Sequence, residues 1–331
     1  MDKINQEKTA IFKRDHYNHK DAGKTFLWAV ILPYVITFMA LLLGMSIGSN
    51  MGINAEQLVE SLGFTIASAV ITPLTFLSIF FIYNKTSKIS LKACRLSFKI
   101  NIKQILILIS ISLICVFGLQ YFIHGIDLGL DAIGYNLSNL SLPLNNGWWY
   151  LLSVVVLALF PAVCEELIFR GMIFLGLRRN LKDSLAVVLS AVLFALMHGS
   201  LEQFVYPFIL GLILSVLVLR TGNLLSSIIV HFLNNFIVVT FAFIENMTGF
   251  NIITTISWLF WLLAVGLLLV TFGLLYVIDK FYFKHKSNLN VEKTPLQDNK
   301  SEGKFPSFYM IMGIIISLIL FIVSIATSFG N

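Results

Sequence analysis

The residues of this chain that could do chemistry are a few ionisable and polar side chains within long apolar segments. They are two glutamates and an arginine in one segment, a histidine at the end of a second, and a histidine and an asparagine in a third: Glu165, Glu166, Arg170, His198, His231 and Asn235. A charge near the centre of a bilayer costs roughly 2.5–3.5 kcal/mol, so membrane segments keep such residues where they are paired, hydrated or used. We therefore take these six residues as the candidate site.

Helical spacing predicts which of these side chains can touch. Glu166 and Arg170 are four residues apart and share a helix face, so we expect an ion pair that lowers the cost of burying both charges. Glu165 lies about 100° around the same helix and is left free to point elsewhere. His231 and Asn235 are also four residues apart, which places an imidazole and an amide on one face.

Depth is a second criterion, and it can be counted from the basic loop 178–183 at 1.5 Å per helical residue. Glu165 then lies about 18–20 Å from that surface, His198 about 21 Å, Asn235 about 16 Å and His231 about 10 Å. Three helices thus bring polar groups to a similar level. Phe194, one turn before His198, is expected to pack beside it.

The composition indicates a membrane protein. The 331 residues are 57% hydrophobic and 12% charged, whereas a soluble domain is typically about a quarter charged. The apolar runs are continuous and do not alternate, which favours helices over a β-barrel. The net charge of +6 comes from residues dispersed between these runs, so we expect no nucleic-acid partner. Three cysteines show no spacing that predicts a disulfide framework or a zinc knuckle.

The fold class expected is an all-α polytopic membrane protein, with an eight-helix transmembrane core and an additional C-terminal transmembrane helix. The predicted spans are 25–48, 61–83, 102–123, 148–177, 184–200, 203–220, 224–245, 252–278 and 307–328. The fourth span is long enough that we expect tilt or a break near Pro161.

These spans divide the chain into six predicted regions. A cytoplasmic segment 1–24 comes first, then spans one to three (25–147), a catalytic core 148–245, span eight within 246–278, a basic linker 279–306, and span nine within 307–331.

The basic residues predict the orientation. With nine spans, every Lys and Arg except Arg170 falls on one side: six in 1–24, six in 84–103, three in 178–183, Arg220, and six in 279–304. Cytoplasmic loops are the ones enriched in Lys and Arg. We therefore predict a multi-pass protein of the cell membrane with a cytoplasmic N-terminus and an extracytoplasmic C-terminus.

Three motifs in this order resemble a known family. Glu-Glu-x-x-x-Arg at 165–170, Phe-x-x-x-His at 194–198 and His-x-x-x-Asn at 231–235 are similar to the signature of CAAX-protease and bacteriocin-processing (Abi) membrane proteins, which include the CAAX prenyl endopeptidases. The resemblance covers about residues 148–245. It implies an intramembrane endopeptidase.

The resemblance also implies roles for the residues. Glu165 would activate water together with His198, while His231 and Asn235 would stabilise the oxyanion and Glu166 and Arg170 would support them. The family is often named a metalloprotease, and Glu165, His198 and His231 could ligate Zn²⁺ with an open position. The chain has no His-Glu-x-x-His element, and we favour a metal-independent glutamate mechanism, with zinc as the alternative.

The expected substrate is a peptide or a membrane protein, cleaved at a site reached from the cytoplasmic half of the bilayer. Peptide maturation and bacteriocin self-immunity are the roles that the resemblance offers. A rival function is a non-catalytic membrane scaffold or regulator, in which the polar residues only join helices. A proton-coupled transporter is a third, but the chain shows no internal repeat. The oligomeric state is not predicted.

Overall fold

The computed structural model describes residues 14–49, 52–135, 144–251 and 305–329, together with six isolated positions between 255 and 273. Within these ranges the chain is helical, and no strand forms beyond one isolated bridge between Arg14 and Ile89. Eight helices organise the fold: α1 (His19–Ser49), α2 (Leu62–Thr86), α3 (Ile102–Ala132), α4 (Gly147–Leu177), α5 (Asp183–Met197), α6 (Val205–Thr221), α7 (Leu224–Thr248) and α8 (Phe308–Ser328).

The helices confirm a polytopic all-α protein. Six of them, α1 to α4, α7 and α8, are long and apolar enough to cross a membrane, whereas α5 and α6 are apolar but shorter. Eight predicted spans coincide with these helices, and α3 continues nine residues beyond its predicted end at 123. Apart from those six positions, span eight lies outside the described residues, as does nearly all of the linker 279–306.

Helix α4 is the centre of the bundle and has an unusual backbone. It changes from α-helix to π-helix at Val154–Leu159, returns to α-helix at Phe160–Ile168, and is π-helical again at Phe169–Phe174. Of the tilt or break expected near Pro161, the break does not occur, because the wider π turn immediately before this proline lets the helix continue past its missing N–H. The two π segments enclose the short α-helical stretch that carries both glutamates.

The bundle has one basic end, where the loops are joined by hydrogen bonds. The backbone N–H of Arg14 donates to the Lys88 carbonyl, and the Ser97 N–H donates to Asn223 Oδ1 at 3.1 Å. The ring of His19 is 3.0 Å from Asn180 Oδ1. These contacts bring the segments before α1, after α2, after α4 and after α6 to the same end of the molecule.

Aromatic contacts join the opposite end. The ring centroids of Tyr150 and Phe243 are 4.6 Å apart, those of Phe204 and Phe321 are 5.6 Å apart, and Tyr135 packs against the C-terminal Phe329. Helix α8 packs along α1 and also reaches α5. Helix α8 is thus packed into the bundle against both α1 and α5.

The α5–α6 hairpin is short and tightly packed. A Cβ added to Gly211 in α6 would lie 3.1 Å from Ala191 Cα in α5 and 3.3 Å from the Arg170 Nη2 atom. Gly171 and Gly176 also sit at close approaches, against Cys94 and Asn18. The three glycines are packing positions, and Gly211 lets the hairpin close over the middle of α4.

Candidate active site

The deepest part of the site is the ion pair predicted from helical spacing. Arg170 Nη1 donates to Glu166 Oε1 at 2.7 Å, and both side chains are 0% exposed. Arg170 Nη2 also donates to the Gly211 carbonyl at 3.3 Å. Because each charge compensates the other, the pair can lie in an apolar interior where either alone would be strongly disfavoured.

His231 joins this pair, which helical spacing alone did not predict. Its Nδ1 atom is 2.9 Å from Glu166 Oε1, the oxygen that also accepts from Arg170. A carboxylate oxygen accepts hydrogen bonds, so Nδ1 carries the hydrogen and Nε2 faces away from Glu166. Glu166 therefore fixes both the tautomer and the orientation of the His231 ring, as carboxylates do in other histidine sites.

Glu165 turns away from the ion pair, as the 100° rotation predicted. Its Oε2 atom is 3.9 Å from His231 Nε2, and its side chain keeps 13% of its surface exposed. It lines a cavity that Glu166 does not reach. The two adjacent carboxylates thus have different partners and different surroundings.

His198 ends α5, and Phe194 holds it there. The His198 Nδ1 atom donates to the Phe194 carbonyl at 2.8 Å, since a carbonyl oxygen can only accept, which leaves Nε2 for the cavity. The Phe194 ring lies edge to face with His198 at 4.9 Å between centroids. The face of the Phe194 ring covers the Arg170 guanidinium, with 4.3 Å between Arg170 Cζ and the ring centroid, which is a cation–π contact. Phe194 therefore links the histidine to the ion pair.

Asn235 lines the cavity beside a polar group that the sequence did not single out. The Asn235 Nδ2 atom is 3.4 Å from the Leu157 carbonyl in the first π segment. Its neighbour Asn234 donates to the Tyr206 hydroxyl and to Asn235 Oδ1. Tyr206 lies in α6, 28 residues earlier, so only the tertiary packing shows that it belongs to the site. The one sequence signal was a tyrosine within an otherwise apolar span.

The cavity has a volume of about 460 Å³, which is within the usual range for ligand pockets. Four of the six candidate residues line it: Glu165, His198, His231 and Asn235. The other two, Glu166 and Arg170, form its buried floor. The structure thus brings all six predicted residues together in two layers.

The cavity extends away from the basic end of the bundle. Its remaining wall comes from residues farther from the basic end than Glu165, among them Leu157 and Pro161 in α4 and Glu202 and Gln203 in the turn after α5. Towards the basic end α4 is buried throughout Glu166–Leu177. Counting residues could not show which side of the site is closed by packing.

Zinc can be tested against this geometry. Both histidines hold Nδ1 on an acceptor and turn Nε2 away, which is the arrangement that zinc-bound histidines adopt. Across the residues that the structure describes, however, no three His, Cys, Asp or Glu side chains are placed closely enough to share a metal ion. As they stand, Glu165, His198 and His231 do not fit a zinc site.

Comparison with known proteins agrees with the motifs. Residues 147–237 match the family model described as type II CAAX prenyl endopeptidase Rce1-like, a match over 91 of the 331 residues. No curated protein and no solved structure matches the chain significantly. This segment contains all six candidate residues, and it is similar to the CAAX-type endopeptidase family.

Proposed function

We propose that this protein is an intramembrane endopeptidase that cleaves a peptide or a membrane-protein substrate with water activated at Glu165. The family is one of CAAX-type endopeptidases, and the helices are those of a multi-pass membrane protein. The observation that carries the proposal is the separation of the two glutamates. Glu166 is held by Arg170 and His231, while Glu165 faces the cavity next to His198, His231 and Asn235.

The cavity side chains divide the work of hydrolysis. A water molecule attacks the carbonyl carbon of the scissile peptide bond and gives one proton to the Glu165 carboxylate. His198 Nε2 accepts a hydrogen bond from the other O–H of that water molecule and so orients the water. The protonated Glu165 then donates to the leaving nitrogen as the C–N bond breaks, which returns the carboxylate to its starting state.

The negative charge that develops on the carbonyl oxygen needs donors on the same wall. Asn235 Nδ2 has one hydrogen near the Leu157 carbonyl and a second for the cavity. His231 donates from Nε2 only as an imidazolium, because Nδ1–H is already given to Glu166. Glu166, which accepts from Nδ1, supplies the compensating negative charge. Removing one such donor from an oxyanion site typically costs about 10²–10³ in rate.

The biological roles that we propose are peptide maturation and self-immunity against a bacteriocin. They are tested by comparing the secreted and membrane peptides of cells that make the wild-type protein with those of cells that make Glu165→Gln. We expect at least one peptide to accumulate uncleaved in the variant. The substitution keeps the side-chain shape and removes the base, so a general-base loss of about 10²–10⁴ in rate is expected.

The scaffold function makes the opposite prediction. A protein that only binds other membrane proteins retains its cellular phenotype in Glu165→Gln at normal expression, since the cavity wall is hardly changed in shape. Full retention would sink the endopeptidase proposal.

The glutamate mechanism and the zinc alternative differ in their response to chelation. We expect purified protein to keep its activity after demetallation with a chelator, and to hold no stoichiometric zinc. Zinc bound at one ion per chain and lost in His198→Ala would favour the metal mechanism.

A further inference from the structure

We infer that the substrate enters from the end of the bundle opposite the basic loops, and therefore that this site acts on polypeptides presented on the extracytoplasmic side of the membrane. That a substrate enters at all rests on the proposed endopeptidase function, whereas the direction of entry rests on the shape of the cavity. It replaces the cytoplasmic access expected from the sequence.

The first step is the level of each cavity residue in its helix. Helix α4 runs towards the basic end, since Arg178 and Arg179 follow it. In α4, Leu157 and Pro161 come before Glu165 and so lie about 12 and 6 Å farther from the basic end. Helix α7 runs the other way, and there the lining residues Val238 and Val239 lie beyond Asn235.

The second step is the turn between α5 and α6. It joins the ends of both helices that are farthest from the basic loops, and it contributes Glu202 and Gln203 to the cavity. Gln203 is exposed. Gln120, far along α3 from its basic end, lines the same part. The mouth of the cavity thus carries three polar side chains among apolar ones, and these can hydrogen-bond to a peptide backbone.

The third step is the closed side. Between Glu165 and the basic end, the π-helical segment Phe169–Phe174 is fully buried. Arg170, Phe194 and Gly211 fill the space between α4, α5 and α6. A peptide approaching from the basic loops would have to displace this packing, whereas one approaching over the turn after α5 meets the cavity directly.

The fourth step is the orientation of the bundle in the membrane. Lys and Arg are concentrated in loops that remain in the cytoplasm. The basic end is therefore cytoplasmic, and the mouth at Gln203 faces the outer leaflet and the extracytoplasmic surface. The substrates that fit this arrangement are secreted peptides, or the outer ends of membrane proteins.

The experiment uses the full-length protein in intact cells. Gln203→Cys at the mouth and Lys182→Cys at the basic end of α5 are treated with a membrane-impermeant maleimide. The native cysteines Cys94, Cys115 and Cys164 are buried, so the wild-type protein measures the background. We expect Gln203→Cys to react in intact cells and Lys182→Cys to react only after permeabilisation. The reverse pattern, or equal labelling of both before permeabilisation, overturns the inference.

A second measurement tests the mouth as the route to the site. A bulky maleimide adduct at Gln203→Cys is expected to reduce peptide cleavage to the level of Glu165→Gln, whereas an adduct at Lys182→Cys in permeabilised cells leaves cleavage unchanged. Cleavage that continues with the adduct at Gln203→Cys also overturns the inference.

The two proposals fail separately. Labelling does not depend on activity, so it reads the direction of the cavity even if Glu165→Gln retains cleavage and the endopeptidase proposal fails. If Glu165→Gln abolishes cleavage but labelling occurs from the basic side, only the direction of entry is wrong.

Discussion

The floor and the wall of the cavity are made by neighbouring residues with opposite properties. On the floor, Glu166 accepts from both Arg170 and His231 and has no exposed surface. On the wall, Glu165 has a histidine nitrogen 3.9 Å away and remains partly exposed. One peptide bond therefore separates a carboxylate held in a buried ion pair from a carboxylate that faces the cavity.

The difference shows how a membrane protein can keep a reactive group at depth. Glu166 and Arg170 compensate each other's charge and orient His231, while Glu165 on the wall stays outside that pair.

The first test compares the two glutamates by stability. Glu166→Gln leaves a buried Arg170 without its counter-charge, and the loss of one partner of a buried pair costs about 3–5 kcal/mol. Thermal unfolding in a fixed detergent or nanodisc is the measurement. Glu165→Gln is the matched control and is expected to unfold near the wild-type temperature. Equal destabilisation by both would show that the floor and the wall are not distinct.

A variant of the pair sharpens that result. Glu166→Gln combined with Arg170→Met removes both charges, and buried pairs replaced by apolar groups of similar volume are often tolerated. We expect the double variant to be more stable than Glu166→Gln alone. If it is less stable still, the pair contributes through its other contacts, such as the cation–π contact with Phe194.

On the wall, Asn235→Ala is expected to lower turnover by about 10²–10³ with little change in unfolding temperature. It removes the proposed oxyanion donor and two long hydrogen bonds, one to the Leu157 carbonyl at 3.4 Å and one from Asn234 at 3.3 Å. Turnover is measured on the peptide that accumulates in Glu165→Gln cells. Turnover close to wild type would remove Asn235 from the oxyanion site.

The floor also depends on the absence of a side chain at Gly211. In Gly211→Ala the new Cβ lies against Ala191 Cα and the Arg170 guanidinium, and overpacking of this kind costs about 1–3 kcal/mol. Gly129→Ala in α3 has nothing within 4 Å and serves as the control, with an unchanged or slightly raised unfolding temperature. A neutral Gly211→Ala would mean that α5 and α6 can separate at little cost.

The smallest effect is expected at Tyr206. Tyr206→Phe removes the hydroxyl that accepts from Asn234, a loss of about 0.5–1.5 kcal/mol for one hydrogen bond. Unfolding temperature and turnover are both measured. Turnover should fall less than in Asn235→Ala, because Tyr206 is connected to Asn235 only through Asn234. A loss equal to that of Asn235→Ala would give the Tyr206 hydroxyl a direct role with the substrate.

Local spacing predicted the parts of this site that a single helix determines. The contact between Glu166 and Arg170, the free direction of Glu165 and the packing of Phe194 on His198 all follow from helical geometry and are confirmed. The three motifs indicated the family, and apolar runs located every described helix of the bundle.

Contacts between helices could not be predicted in the same way. The bond from His231 to Glu166 joins residues 65 positions apart, and the Tyr206–Asn234 bond joins two helices. The π segments of α4 depend on packing as well, and they overturned the expected break at Pro161. The closed side of the cavity is a property of many buried side chains together, so it could not be predicted from helical spacing.

The short α5–α6 hairpin has a consequence for the lipid around it. At 15 and 17 residues these helices are about 23 and 26 Å long, less than the ~30 Å of a typical hydrocarbon layer. Local thinning of the bilayer is one response to hydrophobic mismatch of this kind. Thinning beside this hairpin would shorten the path of water from the membrane surface to His198.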